Sequence, residues 1–429
     1  MKLEHRKNEL THEELYFTRH SSGLGIYIIP KKGYSGCYAI LGTRYGSVDS
    51  EFVVPGEENV TEVPDGIAHY LEHKMFDMPD GSNVFDKFSK FGGNANAYTS
   101  FNMTAYLVSA TSNIDENIAV LMDYVQRPHF TAESVQKEQG IIGQEINMYD
   151  DNGSWKVFFN FLNCLYQNHP VKKEIAGTVE SISHITHDYL YKCYNTFYNL
   201  SNMSMVVVGN VDPEHTAEII EKNILKNEPF TEEIKKLYPN EPEEIAKPYW
   251  EQSLSVAMPL FMLGFKDTDT GYDGERLLKK NIEITILMRM LFGKSSRLYK
   301  ELYETGLINN SFSLDFTMQP DYAFSSLDGE SPDPKKVYEA VLKEVERVRA
   351  EGLSENDFNR IKKVVWGTYI RSMNDLDSYA NAFMQHLFMG IDYFDYEKVY
   401  KSVSFEDVKK RFENHFRADK AALSVINPV

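Results

Sequence analysis

The chain has 429 residues and a mass of 49.5 kDa, enough for two or three cores, which excludes a single small module. It is 42% hydrophobic and 25% charged, with 25 Gly and 16 Pro scattered along it, so disordered and fibrous classes drop out. Lys and Arg number 45 against 63 Asp and Glu, a net charge of −18 that repels phosphate backbones and anionic lipid, so no nucleic-acid partner is expected.

In chain order, the opening MKLEHRKNELTHEELYF carries charge where a leader needs an apolar run. No later stretch offers the roughly 18 consecutive apolar residues of a membrane span. The expectation is a protein of the cytoplasm without a membrane partner. Cys37, Cys164 and Cys193 lie far apart and form no C-x-x-C pair, which fits a reducing compartment. GIYIIP, residues 25–30, reads as a buried strand.

Gly66–Phe76, GIAHYLEHKMF, follows. On a helix, His69 and His73 at i and i+4 place two imidazoles on one face, one turn apart, as two ligands of one tetrahedral Zn²⁺ require. Glu72 shares that face, where a carboxylate can take a proton from an activated water and return it to a leaving amine. The order H-x-x-E-H inverts the commoner H-E-x-x-H. Gly92–Thr111, GGNANAYTSFNMTAYLVSAT, is a β-prone segment after a Gly-Gly turn.

A catalytic zinc needs a third protein ligand distant in sequence. The helix expected after the Thr131 cap carries Glu138 and Glu145, two turns apart on one face; either can be the ligand and the other a carboxylate orienting an imidazole. Its apolar neighbours Ile141, Ile142 and Ile146 predict that much of this helix is covered.

The layout is duplicated. Thr186–Gly209 and Ser404–Asn427 align without a gap, each a capped amphipathic helix leading into a buried-strand run, and Phe130–Met148 pairs with Leu353–Met373, each a capped helix start followed by a long helical pattern. Between the halves, Ile224–Trp250 carries four prolines and alternating charge and reads as a linker. The predicted domains are 1–225, a linker 226–248, and 249–429. Strands arrive early in each half, LSVAMPLFMLGF among them in the second, and long helices later, so the fold class is α+β. The Met-bearing helix around Ile284–Met290 is read as core.

These motifs resemble, over nearly the whole chain, the insulinase and pitrilysin metallopeptidases, inverted-motif zinc peptidases that include the mitochondrial processing peptidase. The resemblance implies two homologous domains, each a mainly antiparallel sheet packed with helices, the first catalytic and the second not. It implies one Zn²⁺ per chain held by His69, His73 and Glu145, with Glu72 as catalytic base and Glu138 as supporting carboxylate; 71 residues stand between His73 and Glu145, in keeping with the family's E-x6-E helix, whose second glutamate is the third ligand. Asn96, Ala97 and Thr99 match the family's N-A-x-T strand, which lies at a sheet edge beside the metal and binds extended peptide through main-chain groups. Asn96 is expected to donate its amide toward the scissile carbonyl oxygen.

The pattern breaks in the second half. The family's L-R-E-x-x-G-L-A-Y segment, whose Arg and Tyr hold substrate, is LYETGLINN here, with Tyr303 in place of Arg and Asn309 in place of Tyr. Arg297 and Tyr299, just upstream, fall on a different turn. Family members of this length form half of a closed chamber, so the resemblance implies a heterodimer with a paralogous subunit that carries the Arg and Tyr, a homodimer being the other option. The implied activity is endopeptidase cleavage of short or unfolded peptides inside that chamber; the alternative is a non-catalytic assembly or peptide-binding subunit of the same fold.

Overall fold

CYAILGT and MSMVVVG are runs without polar alternation, the pattern of strands covered on both faces. In the computed structural model, which describes residues 1–225 and 228–429, both are buried throughout and lie side by side at the centre of a sheet. Residues 226 and 227, the first two of the expected linker, lie outside the described residues.

The chain divides into two units. The first comprises Met1–Ile146, Lys173–Tyr238 and Ser372–Gln385. Its strands are β1 (Glu4–Lys7), β2 (Glu14–Arg19), β3 (Gly25–Pro30), β4 (Cys37–Thr43), β5 (Glu51–Val53), β6 (Val60–Glu62), β7 (Asn94–Thr99), β8 (Thr104–Ala110), β9 (Met203–Gly209) and β10 (Lys235–Lys236). Seven form one sheet in the order β1-β2-β3-β9-β4-β8-β7, with β10-β5-β6 a small second sheet. Only β3 and β9 pair in parallel within the large sheet.

The second unit comprises Asn147–Lys172, Pro239–Arg371 and His386–Val429. Its strands β11 (Tyr249–Leu254), β12 (Leu260–Asp267), β13 (Ser313–Met318), β14 (Ala323–Glu330) and β15 (Ala421–Pro428) run in the order β11-β15-β12-β14-β13. This order repeats β3-β9-β4-β8-β7 strand for strand, including the one parallel pair, β11 with β15. The helices preceding β9 and β15 are capped alike: Thr186 accepts from Tyr189 N–H, and Ser404 forms a capping box with Asp407. The fold is the duplicated α+β architecture that the two aligned segments predicted.

Three features depart from the sequence reading. The units are not the continuous stretches 1–225 and 249–429, because residues 147–172 pack in the second and 372–385 in the first. Within the second unit the Gly153–Leu165 helix lies across β15 and β12, where Phe161 approaches so closely that a Cβ on Gly264 would stand 3.0 Å from its ring. Within the first, the helix starting at Leu376 covers one face of the large sheet: Phe383 packs on Tyr27, and Asn381 bonds the hydroxyls of Tyr38 and Tyr98 at 2.9 and 2.6 Å. Second, LSVAMPLFMLGF is not one strand. It breaks at residues 255–259, since β15 must fit between β11 and β12 and Pro259 has no N–H to continue a ladder. Third, the described part of the linker is docked. Lys236 and Tyr238 bind the buried Asp49 at 2.8 and 2.7 Å in the first unit, and Glu241 takes the N–H groups of 167–169 in the second.

The expected core helix is confirmed as Gly274–Phe292, with Ile284, Ile286, Leu287 and Met288 buried. The cysteines are free and buried. Among the described residues, no helix is long and apolar enough to cross a membrane.

Candidate metal centre

The Ile67–Lys74 helix begins on Gly66 in the left-handed region, φ 91°, with no side-chain cap. A Cβ there would meet the Ala176 carbonyl oxygen at 2.4 Å, so only glycine lets the helix start this close to the 176–177 backbone. The helix is buried on nearly every side. Two polar groups fasten it to the Ala132–Asp150 helix: Tyr70 Oη donates to the Val135 carbonyl, and Lys74 Nζ, fully buried, donates to the Ser134 carbonyl at 3.3 Å and pairs with Asp77. Neither was singled out in the sequence; a lysine directly after H-x-x-E-H on a helix otherwise rich in apolar residues is the signal that marks it.

This fastening brings the two motifs together. His69 Nε2 lies 3.6 Å from Glu145 Oε1, and His73 Nε2 lies 3.4 Å from Glu145 Oε2. One ligand atom from each of His69, His73 and Glu145 falls within 4.8 Å of the others. For ligand bonds of about 2.1 Å, tetrahedral zinc sets its donors about 3.4 Å apart, so the donor set and spacing fit zinc with a position left open. Glu138 does not join the three. Its Oε1 accepts from His73 Nδ1 at 3.1 Å, which puts the proton on Nδ1 and turns the Nε2 lone pair toward Glu145. Of the two glutamates, Glu145 lies at the cluster and Glu138 behind it.

The electrostatics agree with this division. Burial, helped by the His73 charge, pushes His69 down to about 4, so it stays a neutral imidazole at pH 7. Burial opposes charge on His73 too, but the Glu138 hydrogen bond and the Glu72 and Glu145 charges outweigh it and raise the imidazole. Burial would lift Glu138, but the His73 bond and charge hold its carboxyl below the usual range. Glu72 is 8% exposed, and burial pushes it up to about 7, partly offset by the His73 charge and a hydrogen bond from Thr99.

The N-A-x-T segment is β7, at the edge of the large sheet. Thr99 Oγ1 donates to Glu72 Oε2 at 3.2 Å, so this strand touches the proposed base. The Ser100 N–H bonds the Met103 carbonyl at 2.8 Å, which sets the alternation of the hairpin: Asn96 and Tyr98 spend their main-chain groups on β8, while Ala95, Ala97 and Thr99 direct theirs to the free edge. Asn96 lies on the other face of the sheet. It shares a cross-strand row with Leu107, Ile40, Val206 and Tyr27, the face covered by the Leu376–Phe388 helix, and is thus on the sheet face opposite Glu72. Its Oδ1 accepts from Ala97 N–H at 2.9 Å. A one-residue parity decides this, and no motif reveals parity without the pairing register.

The expected cover over the Ala132–Asp150 helix is partial: Ile142 and Ile146 are buried, and Ile141 is 48% exposed. Tyr303 is exposed and stacks on Tyr299, and Asn309 donates its amide to Glu330 at 2.8 Å.

A duplicated α+β fold with an H-x-x-E-H helix clasped to an E-x6-E helix defines the class of inverted-motif metallopeptidases. Residues 56–179 match the family model "Insulinase (Peptidase family M16)", and residues 184–365 match "Peptidase M16 inactive domain". The chain belongs to the insulinase family. It is 42% identical to the Bacillus subtilis protein "Uncharacterized zinc protease YmfH" over 98% of each chain. A crystal structure of an M16-like peptidase from Alicyclobacillus acidocaldarius superposes with a TM-score of 0.92 at 34% identity, covering 100% of this chain and 99% of that one. Pitrilysin shares the fold at a TM-score of 0.76 and 15% identity; 99% of this chain covers 46% of that one.

Proposed function

We propose that this chain is a zinc-dependent endopeptidase acting on short or unfolded peptides. The observation that carries the reading is the meeting of His69, His73 and Glu145 beside a buried Glu72. His69 and His73 would hold one Zn²⁺ through Nε2, and Glu145 through its carboxylate, with Glu138 fixing the His73 tautomer. Zinc bound there supplies Lewis acidity toward a scissile carbonyl and makes water acidic enough to lose a proton near neutral pH. Glu72 takes that proton and delivers it to the leaving amine. Burial suits it to this exchange, since a carboxyl near neutrality both accepts and returns a proton readily. The outward main-chain groups of Ala95 and Thr99, with the Ala97 carbonyl, hold the substrate backbone as an added strand, with little demand on side-chain sequence.

The family name of the relatives supports the activity, and the fold supports a two-part assembly. This chain spans about half of pitrilysin, and its Tyr303 and Asn309 stand where the family's Arg and Tyr would hold substrate. The reading therefore includes a paralogous partner subunit that supplies this pair and closes the chamber. The buried free cysteines suit a reducing cytoplasm.

Replacing Glu72 with Gln is the direct test. The variant should retain one zinc per chain by elemental analysis, while cleavage of quenched-fluorescent unstructured peptides falls by about 10²- to 10⁴-fold. Cleavage at the native rate would remove Glu72 from its role, and a wild-type chain that takes up no stoichiometric zinc would end the peptidase reading.

A further inference from the structure

Thr99 sits where the strand that binds substrate meets the proposed base, and its hydroxyl has a single hydrogen to give. Its Oγ1 has two polar neighbours, Glu72 Oε2 at 3.2 Å and Thr104 Oγ1 at 3.4 Å. Thr104 is fully buried, and its own hydrogen goes to the Tyr45 carbonyl at 2.9 Å. Thr104 thus presents only a lone pair to Thr99. With Glu72 ionised, both neighbours of Thr99 are acceptors, and the shorter, charged one takes the hydrogen. The chain of donors runs one way, and its direction is set by a main-chain carbonyl that cannot change role.

Glu72 Oε2 is consequently committed to accepting from Thr99. The two carboxylate oxygens cease to be equivalent: one lone pair of Oε2 is taken up by Thr99, which leaves Oε1 the better placed to take a proton. We propose that Thr99 is a positioning residue that holds Glu72 in one rotamer and assigns base chemistry to Oε1, a role distinct from the substrate contact expected for it from the N-A-x-T motif. In the step concerned, a water O–H bond breaks and an O–H bond forms on Glu72 Oε1, while the Thr99 hydroxyl keeps its proton throughout. Main-chain groups of the same residue point to the free sheet edge, so one residue places both the substrate strand and the base. Register between the two then depends on a single Cα.

The inference rests on the peptidase reading of Glu72, and its test separates the two. In the zinc-loaded full chain, assayed with its paralogous subunit on quenched-fluorescent unstructured peptides, Thr99→Val keeps size and β-branching but removes the donor. We expect kcat to fall about ten- to a hundredfold, the worth of a hydrogen bond to a charged group. KM should stay within about twofold, zinc content should be unchanged, and Thr99→Ser should restore kcat to within about threefold. A loss confined to KM, or no loss in kcat while Glu72→Gln is inactive, overturns the positioning role and leaves the peptidase reading intact. If Glu72→Gln is itself active, the peptidase reading fails first. A readout independent of turnover is the crystal structure of the zinc-loaded wild-type chain. Glu72 Oε2 within hydrogen-bond distance of Thr99 Oγ1, with Oε1 facing the metal, is the expected result. The reverse arrangement overturns the inference even if Thr99→Val does not fold.

Discussion

His73 makes two different demands on its ring, and the two glutamates of the E-x6-E helix answer one each. Nδ1 is held by Glu138 and Nε2 faces Glu145, so on the proposed function replacing either carboxylate should change zinc binding by a different route. Glu138→Gln keeps a hydrogen-bonding group but loses the charge that favours the Nδ1–H tautomer. Zinc affinity, measured by chelator competition, should drop about 10- to 100-fold with the fold unchanged by circular dichroism. A drop equal to that of Glu145→Gln would instead make Glu138 a ligand. A second buried histidine does structural work. His415 bonds Asp267 Oδ2 at 3.0 Å and Ser325 Oγ at 2.8 Å, and Lys280 stands 3.5 Å from Asp267 Oδ1. Burial alone would raise the Asp267 carboxyl; the His415 bond and charge, with Lys280 and Arg411, outweigh it and bring it to about 2. Its folded value is depressed, so its stabilisation is present above the unfolded value near 3.8 and is lost as pH falls toward about 2. Urea unfolding of wild type and Asp267→Asn should therefore differ at pH 5 and converge by about pH 2. A gap that persists to pH 2 would mean that packing, not charge, holds this cluster.

The Ile67–Lys74 helix owes its placement to its ends more than to helix propensity. It is eight residues long, too short to be stable alone, and it starts without a side-chain cap. What positions it is the left-handed Gly66 against Ala176 and the two polar ties to the Ala132–Asp150 helix. Gly66→Ala must either strain φ or push the 176–177 backbone away, a cost of about 2 kcal/mol or more. We expect a lower denaturation midpoint together with weakened zinc binding, because the same start sets where His69 falls. A destabilised variant with native zinc affinity would uncouple the helix start from the site. Much of this was legible in sequence: the i, i+4 spacing, the capped helices after Thr186 and Ser404, and the buried strands. The facing of β7 was not. An odd spacing puts Asn96 and Thr99 on opposite faces, but which face meets Glu72 follows only from pairing across five strands.

The duplication repeats one five-strand order in two sheets, yet among the described residues only the first unit carries a cluster that could hold a metal. The second lacks the Arg and Tyr expected of it, with Tyr303 stacked on Tyr299 and the Asn309 amide spent on Glu330. Neither is arranged to replace the missing pair. The assembly prediction follows. Mixed with a paralogous subunit that lacks H-x-x-E-H and retains an R-E-x-x-G-L-A-Y segment, the chain should form a 1:1 complex by light scattering and gain cleavage of unstructured peptides. If the zinc-loaded chain alone cleaves as fast as the mixture, the partner is dispensable.

Local patterns were enough to mark the residues that meet in the candidate centre, because ligand spacing on one helix and capping at its neighbours are short-range facts written in consecutive residues. The same holds for the duplicated order of helix and strand. Tertiary packing chose between Glu138 and Glu145, turned Asn96 away from Glu72, and set residues 147–172 and 372–385 in units other than those their position suggests. These outcomes depend on strand register and on which helix faces meet, and both are fixed by contacts between residues far apart in the chain, where periodicity carries no information.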